Sequence, residues 1–218
     1  MNSNLKIKVC GLTKLSQIQE LISLNTDFLG FIFYKKSPRY ALNFLTLEEI
    51  KPINHQGKTG VFVNENIAEI IDIANNSALN FIQLHGDENE DFISELREKL
   101  NPAIGIIKVF RIGNDIGNLK SEIDNLKSKI DYFLFDTDSK SFGGTGKSFG
   151  WEILNQIEIP KPYFLSGGIS PENIQNLKLL NKKPCVLDIN SRFETEPGNK
   201  NIEKIKNFKN DIENLDFN

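Results

Sequence analysis

The sequence predicts an α/β fold, a single-domain (β/α)8 TIM barrel over residues 1–218, and three observations predict it. Eight short apolar runs with strand character recur along the chain, and amphipathic segments with apolar residues at helical spacing separate them. The units repeat at a spacing of about 25 to 30 residues, the rhythm of parallel strands joined by crossover helices. Eight such units close a barrel, whose typical length of about 250 residues this chain slightly undercuts. An open doubly wound sheet would show the same alternation, but with a glycine-rich fingerprint after its first strand. Here "CGLTKL" offers a single glycine.

In chain order the expected strands are "LKIKVC" ending at Cys10, "FLGFIFY" from Phe28, "TGVFV" from Thr59, "FIQLH" ending at His85, "IGIIKVF" from Ile104, "DYFLF" from Asp131, "YFLS" from Tyr163 and "CVLDI" from Cys185. The helix-type segments between and after them include "LTLEEIKPI", "ENIAEIIDIANN", "ENEDFISELREKL", "GNLKSEIDNLKSKI", "SPENIQNLKLL" and "NKNIEKIKNFKNDIEN". In "SPENI" a helix start is expected, with Ser170 as cap, Pro171 at the first helical position and Glu172 in the first turn.

A net charge of −3 gives no global attraction to nucleic acid or to an anionic membrane, though local donors can still hold an anionic ligand. The amino-terminal "MNSNLKIKVC" has no signal-peptide core, and no stretch approaches the roughly 20 apolar residues of a membrane span. A cytoplasmic protein is therefore expected. Cys10 and Cys185 lack zinc-site spacing, and His55 and His85 are the only histidines available to complete one. A reducing compartment argues against a disulfide. Buried filler and chemistry are the two roles left for Cys10.

On a barrel the carboxyl ends of the strands form the active-site face. Cys10 ends strand one, with Lys8 two residues earlier on the same face. His85 ends strand four with Gln83 on its face, Asp136 ends strand six, and Asp188 lies near the end of strand eight. Any one of these is an ordinary solvated strand end; together they place a thiol, an imidazole and two carboxylates around one cleft. "SFGGTGKSF" fails as a P-loop because Ser141 stands where the first glycine is required. It reads as a mobile loop after strand six, with Gly144 a candidate substrate contact and Lys147 within reach of an anion. "LSGGIS" and "DINSRF" follow strands seven and eight, where barrels bind phosphate through exposed backbone N–H groups. Gly167, Gly168, Asn190 and Ser191 are the candidates there. In "KKSPRY" a solvated basic loop is the default reading, but Arg39 can form a two-point pair with a substrate carboxylate.

These motifs resemble the phosphoribosylanthranilate isomerase family of tryptophan biosynthesis. "KVCGLT", "FYKKSPRY", "VFVN", "QLHGDE", "FDTDSKSFGGTGKSFGW", "LSGGISPENI" and "LDINSRFETEPGNKN" carry the resemblance over essentially the whole chain. It implies an Amadori rearrangement of N-(5'-phosphoribosyl)anthranilate to 1-(2-carboxyphenylamino)-1-deoxyribulose 5-phosphate, with no metal and no organic cofactor. The implied general base is Cys10 and the general acid Asp136. Arg39 is implied for the anthranilate and Asp188 as the aspartate near the substrate. The implied partner is this phosphorylated small molecule, and the family includes monomers and homodimers.

The chemistry suits these groups. A carboxylic acid protonates the ribose ring oxygen as its C–O bond breaks, and a thiolate removes the C2' proton of the resulting Schiff base. Asp136 must then be protonated near neutral pH against an ordinary value of about 3.9, and Cys10 ionised against about 8.5. Lys8 is expected to supply the cation that favours the thiolate. Where the commoner family form reads D-V-S-S-G-V-E, this chain has Asn190 and Arg192, so Arg192 must face solvent for the loop to present its backbone. Gly150 replaces the usual Asp before Trp151, removing a helix cap. A histidine-pathway isomerase would rely on two aspartates and need neither Cys10 nor Arg39, and a non-catalytic phosphometabolite-binding barrel would need neither Cys10 nor Asp136.

Overall fold

The computed structural model describes residues 5–113, 117–137 and 150–215. Eight parallel strands close into a barrel in chain order. They are β1 Lys6–Val9, β2 Phe28–Ile32, β3 Lys58–Phe62, β4 Phe81–Leu84, β5 Gly105–Ile112, β6 Tyr132–Thr137, β7 Tyr163–Leu165 and β8 Val186–Ile189. Each matches its expected run to within a residue or two. The ring shuts between β1 and β8, where Lys6 pairs with Val186 and Val9 with Ile189. Beyond the ladder, the Lys6 N–H donates to Cys185 O at 3.0 Å and the Cys10 N–H to Ile189 O at 2.9 Å. Cys10 therefore sits at the mouth of this seam and Cys185 at its base, and both thiols are free.

Alternation along the strands divides the core in two. Phe28, Ile107, Val109, Leu134, Phe164 and Val186 pack together inside the barrel. Phe28 meets Phe164 edge-on at 5.0 Å and Phe81 at 5.3 Å, so aromatic rings plug the base. Outward-facing residues such as Val9, Phe31, Phe62 and Leu84 join the helices in a larger apolar layer. With the base filled by hydrocarbon, the polar inward residues collect at the other end.

The helices are α1 Leu15–Ser23, α2 Leu47–Ile50, α3 Ile67–Asn76, α4 Glu90–Lys99, α5 Leu119–Leu126 and α6 Ile202–Glu213. Asparagines start three of them: the side chains of Asn66, Asn89 and Asn201 each accept a backbone N–H from the first turn of α3, α4 and α6. Thr46 and Glu49 form a capping box on α2, which is only four residues long because Pro52 follows and cannot continue it. No helix among the described residues is long and apolar enough to cross a membrane.

One local expectation needs correction, and two further segments add detail. The segment after β7 forms a 3-10 helix over Ile174–Leu179, not an α-helix from Pro171. Ser170 is not its cap: the Asn173 side chain accepts the Ser170 N–H at 2.9 Å and donates to Gly168 O at 2.9 Å, winding "SPEN" into a turn. Trp151–Gln156 is also a 3-10 helix, with Gly150 at its start and no side-chain cap. Finally, β8 is followed by a short 3-10 turn, Ser191–Phe193, and an antiparallel hairpin of β9 Glu194–Glu196 and β10 Asn199–Lys200. Gly198 turns that hairpin at φ +84°.

Candidate active site

The polar end of the barrel is organised around Lys8, which is fully buried. Its Nζ donates to Asp188 Oδ2 at 2.7 Å and to Gln83 Oε1 at 2.6 Å, and its charge also acts on the Cys10 thiol. Burial works against its charge, but the nearby charges of Asp188 and Cys10 outweigh it and hold the Lys8 pKa above its ordinary value. Burial pushes the Asp188 carboxyl upward against the pull of Lys8. The Lys8 ammonium 2.7 Å away favours the ionised carboxylate. Asp188 Oδ1 is buried without a hydrogen-bond partner among the described residues, an acceptor still available to a ligand.

Cys10 lies directly above this pair, itself buried. Burial raises its thiol pKa, the charges of Lys8 and Lys200 draw it down, and the net direction is up. Lys8 acts in the expected direction, favouring the thiolate, but it is shared with Asp188 and Gln83, and desolvation outweighs it.

Across the mouth, Asp136 Oδ1 accepts the Thr137 N–H at 2.8 Å, and Oδ2 faces His85 Nε2 at 3.4 Å. His85 Nδ1 in turn faces Gln83 Nε2 at 3.2 Å. The turn that carries His85 is clamped from behind, where Lys108 donates to Gly86 O and to Glu88, while Glu88 accepts from the N–H groups of Asn64 and Gly86. Gly167 lies against the acid: at φ +86°, a Cβ there would stand 2.3 Å from Thr137 Oγ1 and 3.1 Å from Asp136 Oδ1. Only glycine can bring the chain this close in this conformation. Gly168 is also left-handed, at φ +71°.

Arg39 is committed before any substrate is considered. Its Nε and Nη2 form a two-point clasp on Glu194, with Nε 2.9 Å and Nη2 2.6 Å from Oε2, leaving Nη1 without a partner among the described residues. Lys200 joins the cluster, donating to Glu194 Oε1 and to Asn190 Oδ1 at 2.8 Å. Burial opposes ionisation of Glu194, but Arg39 and Lys200 prevail and its pKa is lowered. The space beside Gly11 belongs to Arg39, whose Cδ would lie 2.6 Å from a Gly11 Cβ. Ser191 is half-buried in the turn after β8, and Arg192 faces solvent, as the loop requires. Gly144 and Lys147 lie outside the described residues.

The structure thus brings Cys10, Asp136, His85, Asp188, Gly167, Gly168, Asn190 and Arg39 around one mouth. Sequence reasoning missed Glu194, Lys200 and Gly30. Pro197–Gly198, a turn dipeptide between two short polar runs, was the available signal for the hairpin that carries the first two.

Comparison with known proteins agrees with this geometry. The profile of a family described as N-(5'phosphoribosyl)anthranilate (PRA) isomerase matches residues 7–211. A protein named N-(5'-phosphoribosyl)anthranilate isomerase from Trichodesmium erythraeum is 36% identical over 223 residues, covering 93% of this chain and 94% of its own. Among solved structures, a phosphoribosylanthranilate isomerase in complex with reduced 1-(o-carboxyphenylamino)-1-deoxyribulose 5-phosphate superposes with a TM-score of 0.75 at 26% identity. It is matched over its full length and over 97% of this chain. Monomers generated from the dimeric enzyme of Thermotoga maritima match equally well, with a TM-score of 0.75, 26% identity and the same coverage. A match of this length to the family profile, joined to a closed barrel of the same architecture, establishes that the chain belongs to the N-(5'-phosphoribosyl)anthranilate isomerase family.

Proposed function

We propose that the chain rearranges N-(5'-phosphoribosyl)anthranilate to 1-(2-carboxyphenylamino)-1-deoxyribulose 5-phosphate with Asp136 as general acid and Cys10 as general base. One observation carries the assignment: a thiol and a carboxyl group end β1 and β6 at the same polar mouth, beside a buried acceptor, Asp188 Oδ1, that has no partner among the described residues. Asp136 gives its proton to the ring oxygen as the C1'–O bond breaks, and the nitrogen lone pair forms the Schiff base. Cys10, as thiolate, takes the C2' proton; the electron pair moves into an enolamine that tautomerises to the ketone. The proton gained by Cys10 and the one lost by Asp136 balance, so no redox partner is needed.

The other roles follow from position. Asp188 Oδ1 accepts a sugar hydroxyl. The turns after β7 and β8, with Gly167, Gly168, Asn190 and Ser191, hold the phosphate; Gly144, which lies outside the described residues, is a candidate contact to the same substrate. His85 supports Asp136. Arg39, steadied by Glu194, offers Nη1 to the anthranilate carboxylate. We read residues 1–218 as one domain, cytoplasmic, acting as a monomer or homodimer; the two free thiols suit a reducing compartment.

The test is turnover. Purified protein added to freshly made phosphoribosylanthranilate should abolish its fluorescence, and Cys10→Ser and Asp136→Asn should each lose most of kcat with little change in substrate affinity. No turnover by the unaltered protein would sink the activity, and near-normal turnover by either variant would sink that residue's role.

A further inference from the structure

The polar residues of the mouth form one continuous chain of contacts, Asp188 to Lys8 to Gln83 to His85 to Asp136. Its direction is dictated by chemistry. An ammonium has only hydrogens to offer, so the oxygen of the Gln83 amide must be the atom 2.6 Å from Lys8 Nζ. That turns the amide nitrogen, which also has only hydrogens, toward His85 Nδ1 at 3.2 Å. Nδ1 must then be bare, and a neutral imidazole bare at Nδ1 carries its proton on Nε2. Nε2 is the atom 3.4 Å from Asp136 Oδ2.

We propose that Gln83 is a positioning residue: anchored by Lys8, it selects the Nε2–H tautomer of His85 and so keeps a proton donor, and not a lone pair, against Asp136. This rests on Asp136 being the acid of the isomerase. As Asp136 releases its proton to the ring oxygen, negative charge develops on its carboxyl. An N–H aimed at Oδ2 stabilises that charge, whereas the opposite tautomer would set two lone pairs against each other. The selecting signal originates on β1, beside the base, so one buried ammonium orients groups on both sides of the reaction.

The experiment is a long-range proton–nitrogen NMR spectrum of the imidazoles. The chain has two histidines. His55 is held by Thr26 O and the Gly57 N–H and serves as an internal standard, with His55→Gln to assign the signals. In the unaltered protein His85 should be protonated at Nε2 alone. Gln83→Glu presents an acceptor to Nδ1, so Nδ1 should gain a proton and kcat fall by about ten- to a hundred-fold with KM little changed. Protonation at Nδ1 in the unaltered protein, or a Gln83→Glu spectrum and kcat like the original, would overturn the proposal. If Gln83→Glu does not fold, the spectrum of the unaltered protein decides. Absence of turnover would instead overturn the isomerase reading and leave the tautomer result standing.

Discussion

Gly30 on β2 and Cys10 at the end of β1 are a fitted pair: a Cβ built on Gly30 would stand 2.9 Å from both the Cα and the Sγ of Cys10. The thiol occupies the volume that a side chain on the neighbouring strand would fill. Cys10 is therefore held from the side as well as from below by Lys8.

Gly30→Ala should displace the thiol from its place in the mouth. Overpacking of this kind costs about 1–3 kcal/mol of stability. The loss of kcat should be far larger in proportion than the change in KM, read by steady-state kinetics beside a thermal melt. A folded Gly30→Ala protein with normal kcat would show that the position of Cys10 is not critical.

The proposed base, Cys10, must act as a thiolate, and burial holds its thiol above its ordinary range. Alkylation of Cys10 should therefore accelerate as pH rises through neutrality, whereas kcat/KM, which also needs a protonated acid, should pass through a maximum. Lys8→Met removes a charge that favours the thiolate, so alkylation of Cys10 by iodoacetamide should slow and its pH midpoint move further alkaline. Stranding Asp188 without its partner in a dry site costs about 3–5 kcal/mol. Lys8→Met combined with Asp188→Asn relieves that charge and keeps the measurement possible. A midpoint unmoved in the single variant would refute the role given to Lys8.

Glu194 carries the opposite pH signature. Its pKa is lowered in the folded protein, because Arg39 and Lys200 outweigh the effect of burial. A depressed carboxyl stabilises the fold above its unfolded value of about 4.3, and the contribution is lost as pH falls through the folded value. Glu194→Gln should thus melt earlier than the parent at neutral pH, with the gap narrowing in acid. The variant should also raise KM, since Arg39 loses its clasp. A gap that stays constant from pH 7 to pH 3 would contradict the pairing.

What could be read in the sequence, and what could not, follows from the range of each interaction. The strands declared themselves as local apolar runs, and Cys10, His85, Asp136 and Asp188 stood out because each interrupts such a run at its end. The Arg39–Glu194 clasp joins residues 155 positions apart and leaves no local trace. Ser170 misled for the converse reason: the Ser-Pro-Glu signal is real, but Asn173 competes for the same backbone and wins through Gly168 O and the Ser170 N–H. The Gly30 contact was invisible because register between strands, and not composition, creates it.

The Lys8–Asp188 pair bridges the first and last strands of the ring, a separation of 180 positions along the chain. Catalytic competence is in this sense a property of topology: no segment short of nearly the whole chain holds both ends of the charge pair that underlies Cys10. Contacts so distant in sequence are the slowest to form. On dilution from denaturant, turnover should accordingly return no sooner than the far-ultraviolet dichroism. Activity assays of this protein then double as a clock for the closing of its ring.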